Sequence, residues 1–499
     1  MITMFAAAAL ASAVSSANCT ALANVALENG RVASAELIPP GILQVPAVNG
    51  GPRVDSQPMP AYCRVRMVLT PSSDSSINVE LWLPEKGWNG RFLAVGNGGW
   101  GGSIQGYGDM QQALRRGYAT AGTDTGHSAA DGPNGMFALG HPEKVVDFAY
   151  RAIHEMTEKS KAVIQQAYGE AAEYSYFKGC STGGRQGVMA AQRYPEDFDG
   201  IIAGALANQH VHMHIADSYR TIFNNRNPEY AIQWQYNADV INDAIMKQCD
   251  VLHEGFLNDP RQCQMNFKPL TCNRQNGDTS YSENCLVPQQ VITAEDYYVN
   301  GTRTKDGKLV FPPQVLGNNI PRLPFNFLAP DAFVFDTIRI LGFENSAYNW
   351  RNFNLDRDVP IIDQKAGFID ATNPDLRAFE AHGGKLLMYH GWNDTTITPN
   401  STIYYYESVV QEMGDSAKDM TRLFMVPGMG HCEGGDGPYQ FELLTTMERW
   451  REKGKAPKEI PARNPESGLT RPLCAYPETA AYDGSGDLSK ARNWDCKAL

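Results

Sequence analysis

The pattern of apolar and polar positions along this chain changes near residues 208 and 370. Before residue 208, short apolar runs alternate with segments of helical periodicity, such as residues 142–168. Runs that alternate with period two or are continuously apolar predict strands at 63–70, 77–84, 91–95, 118–122 and 198–204, and another from residue 174. Alternating strands and helices of this kind predict a largely parallel sheet that helices cover on both faces.

The middle of the chain has a different character. Residues 208–370 are rich in Asn, Pro, Tyr and Phe, carry two close pairs of cysteines, and lose the alternation of strands and helices. The alternation resumes with strands predicted at 383–390 and 422–426. We therefore expect an α/β catalytic domain built from residues 18–207 and 371–499, with residues 208–370 inserted as a lid domain.

A glycine-flanked serine follows the strand predicted from residue 174. The residues Gly179-Cys180-Ser181-Thr182-Gly183 fill the G-x-S-x-G pattern of a nucleophile elbow. A serine on a strained turn between a strand and a helix needs neighbours without Cβ, because the two elements approach closely there. The G-x-S-x-G pattern also occurs by chance in loops, but here the residues before it predict a strand and the residues after it predict a helix. The pattern therefore predicts Ser181 as a nucleophile.

A glycine-rich loop follows the strand predicted at 91–95. Residues 96–102 contain five glycines, but no Gly-Lys-Ser or Gly-Lys-Thr follows, so a phosphate-binding loop is disfavoured. A loop that presents a backbone N–H to an oxyanion fits better. We predict an oxyanion hole formed by the N–H groups of Gly99 and Thr182, the residue after the nucleophile.

Two later strand ends carry the residues that would complete a triad. Asp394 follows the strand at 383–390, and His431 follows the strand at 422–426 on a glycine-rich loop. The order Ser181, Asp394, His431 is that of hydrolases with a nucleophile elbow. Asp124 and His127 also end a strand, but they precede the serine and are disfavoured as triad members.

Composition excludes several classes of protein. The 499 residues are 42% apolar and 20% charged, as in globular proteins and unlike disordered or collagen-like chains. The formal net charge of −12 argues against nucleic acid or an acidic membrane surface as the main partner.

Two features indicate export. Residues 4–17 are apolar and end in small residues but lack a charged start, so we interpret residues 1–17 as a truncated signal segment, with a buried helix as the alternative. The ten cysteines are even in number and include no C-x-x-C pair. We expect five disulfides and a secreted or periplasmic protein.

Two segments in the predicted lid raise the question of metal binding. The alternate histidines of His210-Val211-His212-Met213-His214 would share one face of a strand, and a metal-dependent hydrolase using them is one alternative. Residues 249–259 carry acidic and amide oxygens that suit calcium, although a solvated loop closed by a disulfide explains them equally well. We expect no metal at the catalytic site.

Five motifs together carry a family resemblance. They lie at Gly179–Gly187, Gly96–Trp100, Thr123–His127, Tyr389–Asp394 and Val426–Cys432. In combination they resemble the tannase and feruloyl esterase family, which also includes the mono(hydroxyethyl) terephthalate hydrolases. The resemblance implies an α/β-hydrolase fold with an inserted lid and a triad of Ser181, His431 and Asp394.

The resemblance also implies a disulfide between Cys180 and Cys432, which would join the nucleophile and base loops. The remaining pairs would be Cys19–Cys63, Cys249–Cys263, Cys272–Cys285 and Cys474–Cys496. Members of the family usually carry a calcium-binding D-x-x-D-G-x-x-D-G run after the first lid cysteine. Here the run around Asp250 is shortened and His253 replaces an expected aspartate, so we expect a weak or absent calcium site.

The resemblance favours a serine carboxylesterase that acts on esters of aromatic acids, feruloyl and other hydroxycinnamoyl esters first. Galloyl esters, as in a tannase, and a terephthalate monoester are alternative substrates. A catalytically silent binding protein of the same fold is the alternative from another class. The expected partner is a small aromatic ester, free or attached to plant polysaccharide, with no nucleic acid and no membrane.

Overall fold

The computed structural model describes residues 13–45, 55–232, 237–272, 285–318 and 330–498. These residues form two compact units. The first unit comprises residues 1–131, 141–178 and 197–199, and the second comprises residues 132–140, 179–196 and 200–499. Most of the predicted signal segment, residues 1–12, lies outside the described residues.

The strands of the first unit are β1 (Ala26–Leu27), β2 (Gly30–Ile38), β3 (Tyr62–Leu69), β4 (Ile77–Pro84), β5 (Arg91–Val95), β6 (Ala119–Thr123) and β7 (Tyr174–Cys180), of which the last two residues of β7 belong to the second unit. They lie in the order β1-β2-β3-β4-β6-β5-β7. The first four are antiparallel, whereas β5 runs parallel to both β6 and β7. β6 is buried along its whole length, as strands covered on both faces are.

The helices of the first unit are α1 (Ser16–Ala21), α2 (Tyr107–Arg115), α3 (Pro142–Val146) and α4 (Ala152–Tyr168). A wider helical turn at Asp147–Arg151 joins α3 to α4. The helix predicted over 142–168 is thereby confirmed. It ends at Gly169, whose φ of 78° provides the left-handed cap that glycine adopts without strain.

The second unit contains the remaining strands. They are β8 (Gly200–Gly204), β9 (Thr302–Arg303), β10 (Leu309–Phe311), β11 (Lys385–Gly391), β12 (Thr421–Val426), β13 (Gln440–Phe441), β14 (Glu459–Arg463), β15 (Thr470–Cys474), β16 (Thr479–Tyr482) and β17 (Trp494–Lys497). β11 is parallel to both β8 and β12, with Gly204 opposite Tyr389 and Gly391 opposite Val426. The loops after these three strands therefore leave the sheet at the same edge, where ligands bind in open α/β sheets.

The helices of the second unit are α5 (Thr182–Arg193), α6 (His210–Arg226), α7 (Ala238–Cys249), α8 (Pro288–Glu295), α9 (Ala332–Asp336), α10 (Leu355–Ala366), α11 (Arg377–Ala381), α12 (Pro399–Met413), α13 (Ala417–Met420) and α14 (Leu443–Lys453). Within the described part of 208–370, the strands are the short antiparallel pair β9 and β10. This agrees with the loss of alternation in the sequence. The lid boundaries at 208 and 370 stay predictions.

All ten cysteines are paired, as Cys19–Cys63, Cys180–Cys432, Cys249–Cys263, Cys272–Cys285 and Cys474–Cys496. In the part of the chain that the structure describes, no helix has the length and apolar character needed to span a bilayer.

Candidate active site

Ser181 sits on a strained turn between β7 and α5. Its φ of 64° and ψ of −124° lie where non-glycine residues are rarely found, so the surrounding structure must hold the turn in place. The N–H of Ser181 donates to the carbonyl of Gly204 at 3.0 Å, and the carbonyl of Ser181 accepts from Ala207 N–H at 3.2 Å. The end of β8 and the loop after it therefore hold the turn that displays the serine.

Glycines around Ser181 allow β7, α5 and β8 to pack closely. A Cβ on Gly179 would lie 2.6 Å from the backbone of Gly183, and a Cβ on Gly184 would lie 2.3 Å from the carbonyl oxygen of Gly204. Neither position has room for a side chain. The glycine pattern in the sequence thus reflects close backbone contact on both sides of the serine.

A disulfide brings the loop of His431 to the loop of Ser181. Cys180 precedes the serine, Cys432 follows the histidine, and their Cα atoms are 6.0 Å apart although 252 positions separate them in sequence. The covalent bond fixes these two loops against each other in the folded chain.

Asp394 is fully buried and accepts hydrogen bonds on both carboxylate oxygens. Its Oδ2 lies 2.7 Å from Nδ1 of His431, and its Oδ1 accepts from the backbone N–H groups of Thr396 and Ile397 at 2.8 and 2.9 Å. Burial alone would raise the pKa of Asp394, but hydrogen bonds from His390 and His431 outweigh it and hold the pKa below its ordinary value. The carboxylate is therefore ionised at neutral pH.

The contact with Asp394 fixes the tautomer of His431. Nδ1 carries the proton, because it donates to the carboxylate, so Nε2 is left as the basic nitrogen. The His431 side chain keeps 27% of its surface exposed, whereas the Asp394 side chain is at 0%. This is the arrangement that a general base needs, with a buried acceptor behind the ring and access in front.

A segment after β10 holds the Asp394 loop from the other side. Gln314 Nε2 donates to the carbonyl of Asp394 at 3.1 Å, and Asn318 Nδ2 donates to the same oxygen. The carbonyl of Pro313 accepts from Thr398 Oγ1 at 2.7 Å. No motif in the sequence indicated these residues, since their partners are backbone atoms far along the chain.

In the first unit, the strand end at residues 123–124 supports the glycine loop at residues 96–102. Gly102 N–H donates to the carbonyl of Asp124 at 3.0 Å, and Asn97 Nδ2 donates to the carbonyl of Thr123 at 2.7 Å. The motif at Thr123–His127 therefore has a structural role, which the sequence did not reveal. The pairing of Gly99 and Thr182 as an oxyanion hole stays a prediction.

Side chains of the same motif pack against the loop glycines. A Cβ on Gly101 would lie 2.2 Å from Thr125 Oγ1, and a Cβ on Gly102 would lie 3.3 Å from the ring of His127. Burial raises the pKa of Asp124 to about 6 and lowers the pKa of His127 to about 4. Both residues are buried in the first unit, and their exclusion from the triad stays a prediction.

Residues 210–214 begin helix α6 and do not form the strand on which all three alternate histidines would share one face. A helix turns about 100° per residue, so His210 and His214 share a face, with ring centroids 4.2 Å apart. His212 lies elsewhere on the helix and pairs with Asp363 at 2.8 Å. Burial lowers the pKa of His214 to about 3, and the pKa of His210 is also well below its ordinary value. Among the residues described, three or more His, Cys, Asp or Glu side chains nowhere converge as metal ligands would.

The acidic groups after Cys249, whose oxygens would suit calcium, have other partners. Asp250 accepts from two backbone N–H groups of its own loop at 3.0 and 2.9 Å. Glu254 forms a buried two-point pair with Arg471 at 2.6 and 3.1 Å, and Asp259 pairs with Arg261 at 2.5 Å. Calcium requires six or more oxygens converging on one point, at about 2.4 Å. This loop, in which guanidinium groups neutralise two of the carboxylates, does not fit a calcium ion.

Comparisons with known proteins extend over nearly the whole chain. A family model described as tannase and feruloyl esterase matches residues 63–497. An uncharacterized esterase of Xanthomonas campestris pv. campestris is 34% identical, with 98% of this chain and 92% of that protein covered. A probable feruloyl esterase B-2 of Aspergillus fumigatus is 33% identical, covering 87% of this chain and 86% of its own length. The crystal structure of feruloyl esterase B from Aspergillus oryzae has a TM-score of 0.86 at 30% identity, covering 97% of this chain and 100% of that one.

Proposed function

Because the chain belongs to the tannase and feruloyl esterase family, we propose that it hydrolyses esters of aromatic acids, hydroxycinnamoyl esters first, through Ser181, His431 and Asp394. The protein is a carboxylic ester hydrolase with an α/β-hydrolase fold. The catalytic roles of the three residues and the preference for feruloyl and other hydroxycinnamoyl esters are our proposal.

The proposed reaction proceeds through an acyl-enzyme. Ser181 Oγ attacks the ester carbonyl carbon while its proton passes to Nε2 of His431. The tetrahedral intermediate expels the alcohol, which takes the proton from His431 and leaves the aromatic acyl group on the serine. Water then attacks the acyl carbon, giving its proton to His431. Collapse of the second intermediate releases the aromatic acid and returns the proton to Ser181.

Two features of the site stabilise charge during these steps. Asp394 stays ionised and faces the imidazolium that forms on His431. The N–H groups of Thr182 and Gly99 would receive the oxyanion, and loss of either should cost about 3 kcal/mol of barrier.

The observation that carries this proposal is the Cys180–Cys432 disulfide together with the His431–Asp394 hydrogen bond. The disulfide ties the strained turn of Ser181 to the loop of the base, and the 2.7 Å hydrogen bond orients that base. A silent binding protein of the same fold would need neither the strained serine nor the oriented histidine.

The proposed setting is outside the cytoplasm. Five disulfides suit an oxidising compartment, so we propose a secreted or periplasmic enzyme. Its substrate would be a small aromatic ester, free or attached to plant polysaccharide.

The test is a hydrolysis panel of methyl ferulate, methyl caffeate, methyl gallate, chlorogenate and a terephthalate monoester, with wild type and Ser181→Ala. Ser408→Ala is the matched control, since Ser408 Oγ donates to the carbonyl of Tyr405 within α12 and lies outside the candidate site. We expect the wild type and the control to hydrolyse ferulate or caffeate fastest and Ser181→Ala to be inactive. Turnover by Ser181→Ala would rule out the serine mechanism. A wild type that binds the esters without turnover would identify a silent binding protein, and a preference for gallate or terephthalate would reassign the substrate.

A further inference from the structure

A second histidine contacts the carboxylate of Asp394. His390 lies near the end of β11 and is fully buried, and its Nε2 is 3.0 Å from Asp394 Oδ2, the oxygen that His431 also contacts. The same Nε2 is 3.2 Å from the carbonyl oxygen of Ile397. Two imidazole rings therefore meet at one carboxylate oxygen.

The neighbours of His390 determine which nitrogen carries its proton. Nε2 faces two acceptors, the carboxylate of Asp394 and the carbonyl of Ile397, so Nε2 must be the donor. On the other side, Nδ1 lies 2.7 Å from Thr402 Oγ1, on helix α12. A neutral His390 then accepts the hydroxyl proton of Thr402 at Nδ1.

Thr402 links this arrangement to the chain that holds Ser181. Its Oγ1 accepts from Leu206 N–H at 3.3 Å, which leaves the hydroxyl proton free to point at His390. Leu206 precedes Ala207, whose N–H donates to the carbonyl of Ser181. Hydrogen bonds therefore connect Leu206, next to the residue that contacts Ser181, through Thr402 and His390 to Asp394.

We propose that His390 is a positioning residue for the triad, held in one tautomer by Thr402, and that it fixes Asp394 so that the carboxylate can orient His431. This inference rests on the proposed function. Oδ1 is held by two backbone N–H groups, but among the described residues His431 would be the one donor left to Oδ2 without His390. The side chain that orients the base would then depend on the base for its own orientation.

The test compares two replacements of His390. His390→Phe keeps a ring but removes both nitrogens, so kcat should fall about 10- to 100-fold while KM stays within about twofold. His390→Gln offers an amide N–H to Asp394 and an amide oxygen to Thr402, and should restore most of kcat. Melting temperatures of both variants show whether they fold.

Thr402 provides an independent variant with a matched control. Thr402→Val removes the hydroxyl that orients His390 and should lower kcat several-fold, whereas Thr402→Ser keeps the hydroxyl and should stay near wild type. Thr337 makes the same kind of buried contact with His214, at 2.8 Å, but does not touch Asp394. Thr337→Val should therefore lower the melting temperature as much as Thr402→Val without lowering kcat.

Three results would overturn the inference: wild-type kcat in His390→Phe, equal losses in His390→Phe and His390→Gln, or equal losses of kcat in Thr402→Val and Thr337→Val. The rate of phosphonylation of Ser181 by a fluorophosphonate provides a second readout and should fall in His390→Phe as kcat does. Failure of the proposed function would look different, since either Ser181→Ala would retain turnover or the wild type would bind the esters without turnover, whatever the His390 variants do.

Discussion

At the scale of single residues, the carboxylate of Asp394 is the most constrained group in the candidate site. It accepts four N–H donors, two from backbone and two from imidazole rings, while being fully buried. A buried charge is stable only when such donors replace the water it has lost. The sequence indicated Asp394 from its place after a strand, but it could not show the donors, because the contribution of His390 depends on the tertiary packing of α12.

Replacing Asp394 by Asn should inactivate the enzyme with only moderate loss of stability. The amide has one acceptor oxygen in place of two, and when that oxygen takes the two backbone N–H groups its NH2 group faces both histidines. His431 then loses its oriented tautomer, and kcat should fall about 10,000-fold. Asp363→Asn is the matched control, since Asp363 pairs with His212 at 2.8 Å in another part of the second unit. Steady-state kinetics on the ester that the wild type hydrolyses fastest gives kcat for Asp394→Asn and Asp363→Asn. A loss below tenfold in Asp394→Asn would contradict the assigned role.

His127 should make stability depend on pH. Burial lowers its pKa in the folded protein to about 4, so as the pH falls below its ordinary value of about 6.5 the unfolded chain takes up a proton and the folded protein does not. The free energy of unfolding therefore keeps its full value above pH 6.5 and decreases as the pH falls toward 4. Between pH 6.5 and 5 the wild type should lose about 2 kcal/mol more than His127→Gln. Urea unfolding at the two pH values measures this, and equal losses in both proteins would show that His127 does not titrate as stated.

At the scale of elements, the approach of α5 to β8 sets the position of Ser181, the proposed nucleophile. The sequence predicted β7, the turn and α5 correctly, because apolar periodicity and the glycines are local signals. The alternate histidines of His210–His214, which would share one face if they lay on a strand, instead lie at the start of α6. Side-chain alternation over five residues does not distinguish the two structures, and packing decided between them.

Gly184→Ala should lower both stability and kcat. The added methyl would lie 2.3 Å from the carbonyl oxygen of Gly204, so α5 must move away from β8 and carry Ser181 with it. Overpacking of this kind costs about 1–3 kcal/mol. Gly367→Ala is the control, because the nearest atom to its Cβ would be at 3.9 Å. Melting curves and kcat for both variants test this, and an active, stable Gly184→Ala protein would contradict it.

At the scale of the whole molecule, disulfides act on both stability and the site. The Cys180–Cys432 bond spans 252 positions and the Cys474–Cys496 bond spans 22. Replacing both cysteines of a pair by Ala should cost about 5 kcal/mol for the first bond and about 3 for the second. Only the first replacement should lower kcat, by at least about tenfold, because it frees the base loop from the nucleophile turn. Equal kcat in the two double variants would show that the tether is not needed for the site.

Chelators should leave the stability of the protein unchanged. The loop after Cys249 is held by the Glu254–Arg471 pair and by backbone N–H groups that donate to Asp250. Removal of divalent cations should therefore leave the melting temperature unchanged. Differential scanning fluorimetry with EDTA, and with added calcium as the reference, measures the effect. A fall of several degrees with EDTA that calcium reverses would show that the protein binds calcium.

The sequence by itself determined the order of strands and helices in the catalytic part, the serine turn with its glycines, and the family. These follow from local periodicity and short motifs, because both depend only on residues that are close together in the sequence. Tertiary structure alone decided that two histidines contact the carboxylate of Asp394 and that Arg471 pairs with Glu254. It also decided that the backbone carbonyl of Asp124 accepts a hydrogen bond from the glycine loop. His431 and Arg471 are far in sequence from the carboxylates they contact, Asp124 acts through a backbone atom, and neither kind of contact leaves a pattern in the order of side chains. His390 is only four residues from Asp394, but its ring is also held by Thr402 of α12, which requires the folded chain.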